Sequence, residues 1–261
     1  MMQSRDSGVI GVDRRGHVVV IRIQRPEVRN ALNLAVLEGL RDSLAEADRD
    51  DSVRVIVLTG GEGDFSAGAD IDMLSGQTSA GYARSVNARC FKEIRRTEKP
   101  LVAAVSGFCL GGGCEIALAC DVVIASDTAR LGQPEIRLGI IPGAGGTQLW
   151  RRRAGDGVQS VAALGGAAIG AFTARRAGLV DRVVPCGGVI EEACQFGAEL
   201  AKNGPLALPA AKRVMRASWN MSLSGTLDHE VSVMAGLLSS SDAAEGIAAF
   251  QQKRPPVFEG R

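Results

Sequence analysis

Two glutamates and a run of three glycines carry most of the chemistry in this sequence. Gly111, Gly112 and Gly113 follow the apolar, strand-like run Leu101 to Val105 and precede a helical run from Cys114 to Cys120. The triplet predicts a strand-to-helix turn, where a missing Cβ permits unusual dihedrals and close approach of a ligand. The first N–H groups of a helix have no internal acceptor and lie at the positive end of its dipole. Such an end suits an anion or a developing oxyanion. Glu115 falls in the first turn, and Glu135 arrives in Gly132-Gln-Pro-Glu135 after a short strand-like passage. Two carboxylates beside an oxyanion-binding helix end would serve acid–base catalysis. The competing reading is structural: glycine runs punctuate loops, and a glutamate in a first helical turn is favoured by the dipole alone.

The elements that must position these residues follow from periodicity. Val18 to Ile23, beside a turn at Arg14-Arg15-Gly16, predicts a β-hairpin. Arg25-Pro26 to Asn30 reads as a loop, and Asn33 as the cap of a helix with Leu34, Leu37, Leu40, Leu44 and Ala47 at helical spacing. Val53 to Leu58 and Asp121 to Ala125 read as buried strands, and a helix from Tyr82 to Arg96 carries Tyr82, Val86, Cys90 and Ile94 on one face. Pro142-Gly-Ala-Gly-Gly146 opens a further helix, and Leu179 to Pro185 is the last strand. Helices follow at Val189 to Lys202, Pro205 to Ser218, Leu223 to Leu238 and Asp242 to Gln252, where Asp242 and Glu245 have capping-box spacing. Alternating strands and helices predict an α/β fold with right-handed crossovers.

Composition excludes several classes. A chain of 261 residues with 46% apolar residues can bury a large core. A net charge of +1 and 4% aromatics argue against nucleic acid or an anionic membrane as partner. No apolar run approaches the roughly 18 residues of a membrane span, and the polar N-terminus lacks a signal-peptide core, so a cytoplasmic location is expected. The six cysteines form no C-x-x-C pair and read as buried free thiols. The glycines after Pro142 lack both the dinucleotide spacing and the G-K-[ST] of a P-loop, and no G-x-S-x-G marks a serine hydrolase. His17 and His229 read as structural.

Several motifs in order point to a family. Arg25-Pro26 through Asn30-Ala-Leu-Asn33, Phe65-Ser-Ala-Gly-Ala-Asp-Ile71, Gly107-Phe-Cys-Leu-Gly-Gly-Gly-Cys-Glu115, Gly132-Gln-Pro-Glu135, Leu138-Gly-Ile-Ile-Pro-Gly-Ala-Gly-Gly-Thr-Gln148, Gly178 to Pro185 and Glu245 to Phe250 together resemble the enoyl-CoA hydratase/isomerase, or crotonase, superfamily. The resemblance spans about Val9 to Phe258. It implies a spiral of repeated ββα units over residues 1–188, holding an acyl-CoA site. A C-terminal helical region, residues 189–261, would then build trimers or pairs of trimers.

The resemblance also implies a coenzyme A thioester whose oxygen is held by the N–H groups of Ala69 and Gly112, with no metal or redox cofactor. Syn addition of water across C2=C3 drives charge onto that oxygen, and losing one such donor costs roughly 3–4 kcal/mol. By the same resemblance Glu115 activates the water and Glu135 delivers the proton to C2, the two titrating as a coupled pair. It places Val28, Arg29, Ala67, Ala69, Asp70 and Ile71 along the coenzyme A channel, with the Ala67 carbonyl facing adenine. Gly111, Gly112, Pro134, Leu138 and Gly143 join the substrate-binding set. Arg29 is open to a phosphate contact or to a solvated surface role.

Two departures stand out. Where relatives show an Arg-Leu-Pro-Arg-like run, this chain has Leu149-Trp150-Arg151-Arg152-Arg153, read first as a solvated face. Leu164 to Gly170 replaces a more polar segment, and Gly170 stands where relatives have Ser or Asp as an N-cap. The leading expectation is an enoyl-CoA hydratase of fatty acid metabolism. An isomerase or other lyase on the same fold, and a non-catalytic acyl-CoA-binding protein, are the alternatives.

Overall fold

In the computed structural model, which describes residues 2, 5–6, 8–75 and 86–261, β-branched residues build the central layer. Strands β1 (Arg5–Asp6), β2 (Ile10–Arg15) and β3 (Val18–Ile23) pair antiparallel, with Val12 opposite Ile21 across the expected hairpin. A 3-10 turn, Pro26–Val28, leads to helix α1 (Leu34–Arg49), capped by the Asn33 side chain on the Val36 N–H at 3.0 Å. β4 (Val55–Thr59) then lies parallel to β3, and the short helix α2 (Ile71–Leu74) follows. Helix α3 (Val86–Arg96) buries Cys90 and Ile94 as their spacing requires; Tyr82, expected on that face, lies outside the described residues.

Two strand–strand–helix units carry the site. The first is β5 (Leu101–Val105), β6 (Phe108–Leu110) and α4 (Gly112–Ala119). The second is β7 (Val122–Ser126) and β8 (Arg130–Gly132), a 3-10 turn at Pro134–Leu138, and α5 (Gly146–Gly165). In each, the first strand joins the large sheet and the second a small one. β9 (Ile169–Gly170), α6 (Ala171–Arg176) and β10 (Arg182–Val184) complete the layers. The large sheet runs β1-β2-β3-β4-β5-β7-β10, parallel from β3 onward; the small one runs β6-β8-β9. The glycine triplet therefore follows β6, not Leu101–Val105 as expected. The chain leaves the large sheet at Ser106-Gly107 and pairs again before the turn.

Parallel strands covered on both faces are apolar throughout. Val18, Val20, Val55, Val57, Val102 and Ile124 pack against α7 (Val189–Leu200), while Val19, Ile21, Ile56, Leu58, Ala103 and Val123 face the larger core with α1. Helices α8 (Ala207–Ala217), α9 (Leu223–Leu238) and α10 (Ser241–Gln251) follow. The expected Asp242–Glu245 capping box does not form. Ser240 caps α10 through the Ala243 N–H, Asp242 accepts from the N–H groups of Glu259 and Gly260, and Glu245 pairs with Arg254.

The basic run is also not a uniform solvated face. Trp150 is fully buried, Arg153 donates to the Cys120 carbonyl, and Arg151 pairs with Asp156. Five cysteines are buried free thiols as expected, whereas Cys186 is exposed. Gly170 precedes α6 with no side-chain cap, as its lack of a polar group requires.

Asn30 ties the loop before α1 to the loop after β4. It is buried with φ at 56°, a conformation Asn tolerates better than most residues. Its Oδ1 accepts from the Arg25 N–H at 2.8 Å, and its Nδ2 donates to the carbonyls of Gly60 and Asp64. Asn30→Ala strands those groups and is expected to lower unfolding stability by about 2–4 kcal/mol. A urea midpoint within experimental error of the parent would show that the loops hold without it.

Candidate active site

The site is assembled by strand register. β6 and β8 run parallel, with Leu110 opposite Gly132, and the Gly111 N–H continues the ladder to the Gly132 carbonyl at 2.9 Å. On the other side Ser66 bridges to Cys109, its N–H on the Phe108 carbonyl and its C=O accepting from Leu110. These pairings bring Ala67 to Ala69 beside the start of α4, and Glu135 beside Gly111.

Close approach at these points requires glycine. Gly68 has φ +104° and a Cβ there would lie 2.9 Å from the Leu110 carbonyl oxygen; Gly111 has φ +51° and a Cβ there would lie 2.9 Å from Glu135 Oε1. A Cβ on Gly112 would sit 3.9 Å from the Ala69 nitrogen, so these two sequence-predicted donors are neighbours. Gly112 is the first residue of α4, where an N–H has no intrahelical acceptor. Among the described residues neither the Ala69 nor the Gly112 N–H meets an acceptor.

Glu115, one turn into α4, is buried at 3% exposure. Its Oε1 accepts from the N–H groups of Ala144 and Gly146, both at 2.7 Å. Burial pushes its carboxyl up, opposed by those N–H groups and by the Arg95 charge. Glu135, half-buried on the 3-10 turn, is pushed up to about 7, chiefly by burial, with the Glu115 charge adding to the rise. Two carboxylates of raised pKa near two unpaired N–H groups can hold a water, take one of its protons and return another, while the N–H groups receive negative charge.

The match to known proteins decides the family. Residues 13–261 fit the family model described as enoyl-CoA hydratase/isomerase. This chain belongs to that family. It is 42% identical over 250 residues to the 2,3-dehydroadipyl-CoA hydratase of Escherichia coli (strain K12), covering 96% of this chain and 98% of that protein. Its fold is similar to crystal structures of enoyl-CoA hydratases from Bacillus anthracis and Mycobacterium tuberculosis. The first has a TM-score of 0.92 at 36% identity, covering 97% of this chain and all of that one. The second has a TM-score of 0.90 at 33% identity, covering 97% and 99%. The ββα spiral and the C-terminal helices are thus those of the crotonase fold.

The remaining residues expected at the site fall in different settings. Val28 is exposed on the turn before α1, and Arg29, also exposed, lies 5.2 Å over the Phe108 ring and 4.0 Å from Asp64. Asp70 is committed to Arg25 at 3.1 Å, so its carboxylate shapes the Ala67–Ile71 segment. Ile71 and Leu138 are exposed apolar residues, Pro134 is half-buried beside Glu135, and Gly143 is exposed next to the Ala144 N–H that holds Glu115. His17 donates from Nδ1 to the Ser52 carbonyl at 2.9 Å, far along the chain from either glutamate.

Sequence reasoning missed the partners of the two glutamates. The Pro142 to Gly146 segment reads as a helix opening with Gly143 in the substrate-binding set, and nothing in it points to the N–H groups of Ala144 and Gly146 that grip Glu115. Gln133 is fully buried; with its amide turned to satisfy its neighbours, Nε2 donates to both Glu135 oxygens at 3.1 Å and Oε1 accepts from Trp150 Nε1 at 3.2 Å. The only signal available was a tryptophan inside a basic run.

Donation by Gln133 favours ionised Glu135, against the rise caused by burial. Trp150→Phe keeps most of the volume but removes the N–H that orients the amide. The Glu135 titration, followed by carboxyl-carbon NMR, is expected to move up in that variant. An unchanged titration would show that Gln133 is oriented by something else.

Proposed function

We propose that this protein adds water to 2-enoyl-CoA thioesters, giving 3-hydroxyacyl-CoA. The observation that supports the proposal is the adjacency of the Ala69 and Gly112 N–H groups, neither with an acceptor among the described residues, with Glu135 beside Gly111 and Glu115 in the first turn of the same helix. The thioester oxygen would lie between those two donors, so the charge that develops on it meets dipoles already in place. Glu115, held by two backbone N–H groups, would take a proton from water as its oxygen attacks C3. Glu135, whose raised pKa keeps it protonated up to near neutral pH, would deliver a proton to C2. The coenzyme A moiety would run along Val28, Arg29 and the Ala67–Ile71 segment. The E. coli relative is named for a six-carbon dicarboxylic enoyl thioester, and we include that substrate beside crotonyl-CoA.

Self-association belongs to the same proposal. Leu223, Leu227, Val231, Met234 and Leu238 of α9 are exposed, as is Phe250 of α10 at 86%. An apolar face of this extent needs cover, and a trimer or pair of trimers would provide it. No helix among the described residues is long and apolar enough to cross a membrane, and the proposed setting is cytoplasmic.

Hydration of crotonyl-CoA, followed by loss of the conjugated thioester absorbance, tests the reaction. Glu115→Gln and Glu135→Gln are each expected to lower kcat roughly 10²- to 10⁴-fold. Affinity for acetoacetyl-CoA should stay nearly constant, and the double variant should lose less than the product of the singles. Parent-like turnover in both single variants would refute the two-glutamate mechanism. The pH profile has a definite sign. Hydration needs Glu135 protonated, so kcat/KM is expected to fall as pH rises through about 7, and to fall again in acid as Glu115 takes up a proton. An alkaline limb that keeps rising past pH 8 would contradict the assignment of Glu135 as the acid.

A further inference from the structure

The Ala69 N–H can serve an oxyanion only if the chain around it keeps its place, and its two neighbours give it little support of their own. Gly68, at φ +104°, is a conformationally permissive joint. Asp70 opens the four-residue helix α2, which is too short to hold itself. The aim of the donor comes from a parallel bridge between Leu32 and Ala69. The Leu32 N–H donates to the Gly68 carbonyl at 2.8 Å, and the Asp70 N–H donates to the Leu32 carbonyl at 3.1 Å. With both flanking residues bonded to Leu32, the Ala69 N–H points to the opposite edge, where Gly112 lies. Whatever holds Asp70 beside Leu32 therefore keeps the donor aimed.

One side chain supplies that hold. Arg25 stands two residues past β3, its own N–H fixed on Asn30 Oδ1 at 2.8 Å. A single guanidinium nitrogen, Nη1, donates to the Ala31 carbonyl at 2.7 Å and to Asp70 Oδ2 at 3.1 Å. It thus ties together the residues next to each partner of the Leu32–Ala69 bridge. The two side chains are 17% and 24% exposed, so water screens the pair only in part. An ion pair near the surface adds little to stability. One that fixes a donor is felt in the reaction instead, where a misplacement of about 1 Å can cost roughly 100-fold in rate.

We propose that Arg25 and Asp70 are positioning residues for the Ala69 donor, transmitting the rigidity of β3 to the seat of the thioester oxygen. The inference rests on the hydration reaction proposed above. Asp70→Asn is the primary variant, because Asn caps a helix as well as Asp does and so keeps the start of α2 while the charge is lost. Arg25→Met keeps the stem but removes the bridging nitrogen, and Arg25→Lys restores one cationic donor. With crotonyl-CoA, Asp70→Asn and Arg25→Met are each expected to lower kcat roughly 10- to 100-fold, with KM within about twofold of the parent. Both limbs of the pH profile should stay in place, since neither glutamate is touched. The double variant should lose no more than the larger single loss, because either substitution breaks the same tie. Arg25→Lys should recover most of the parent rate.

If Arg25→Met does not fold, Asp70→Asn carries the test alone. A parent-like kcat in Asp70→Asn, a change in KM alone, or a shifted pH limb would overturn the proposal. So would losses that multiply in the double variant, or an Arg25→Lys variant as slow as Arg25→Met. If the parent hydrates no enoyl-CoA thioester, the hydratase reading falls and takes this inference with it. If the parent hydrates crotonyl-CoA and Asp70→Asn matches it, this inference alone falls.

Discussion

The site depends on one close contact between two stretches of backbone. Gly68 and Gly111 approach so nearly that a side chain on either would strike the Leu110 carbonyl or the Glu135 carboxylate. Both also hold positive φ, which glycine adopts without the steric cost borne by other residues. That contact sets the Ala69 N–H beside the Gly112 N–H, each without an acceptor of its own. Both residues are partly buried, and two adjacent N–H groups without an acceptor are what the proposed seat for a thioester oxygen requires. The paired strands around them, Ser66 to Cys109 and Leu110 to Gly132, and the Asn30 clasp on the preceding loops, maintain that spacing.

The two carboxylates are held by different means. Glu115 is fixed by main-chain N–H groups of the segment opening α5, so its position is a property of the fold. Glu135 is held by a side-chain amide that is itself oriented by an indole, so its position and acidity can change with a single substitution. Burial raises both pKa values, and the hydrogen bonds oppose the rise. In the proposed reaction this division is useful: the group that meets the water is rigid, and the group that carries the proton is tuned near neutral pH.

Much of this was legible in the sequence because local patterns and global fold agree. The hairpin at Arg14-Arg15-Gly16, the Asn33 cap and the α9 boundaries follow from turn chemistry and helical period alone. Gly111 to Gly113 and Glu115 announced a helix start with catalytic potential. Contacts between residues distant in the chain were not legible. No spacing rule joins Gln133 to Trp150, or Ala144 to both Glu115 and Arg95. The capping box at Asp242 misled because Ser240, two residues earlier, is the better-placed cap. The run Arg151 to Arg153 misled because charge count alone does not show which guanidinium reaches a buried carbonyl.

The central claim is that the Ala69 and Gly112 N–H groups hold the thioester oxygen. Vibrational difference spectroscopy of crotonyl-CoA, carbon-13 labelled at the thioester carbonyl and bound to the Glu115→Gln, Glu135→Gln double variant, tests it most directly. Two preorganised donors should polarise the bond and move its stretch to lower frequency than in water. A bound carbonyl stretch at or above its aqueous frequency would contradict the account.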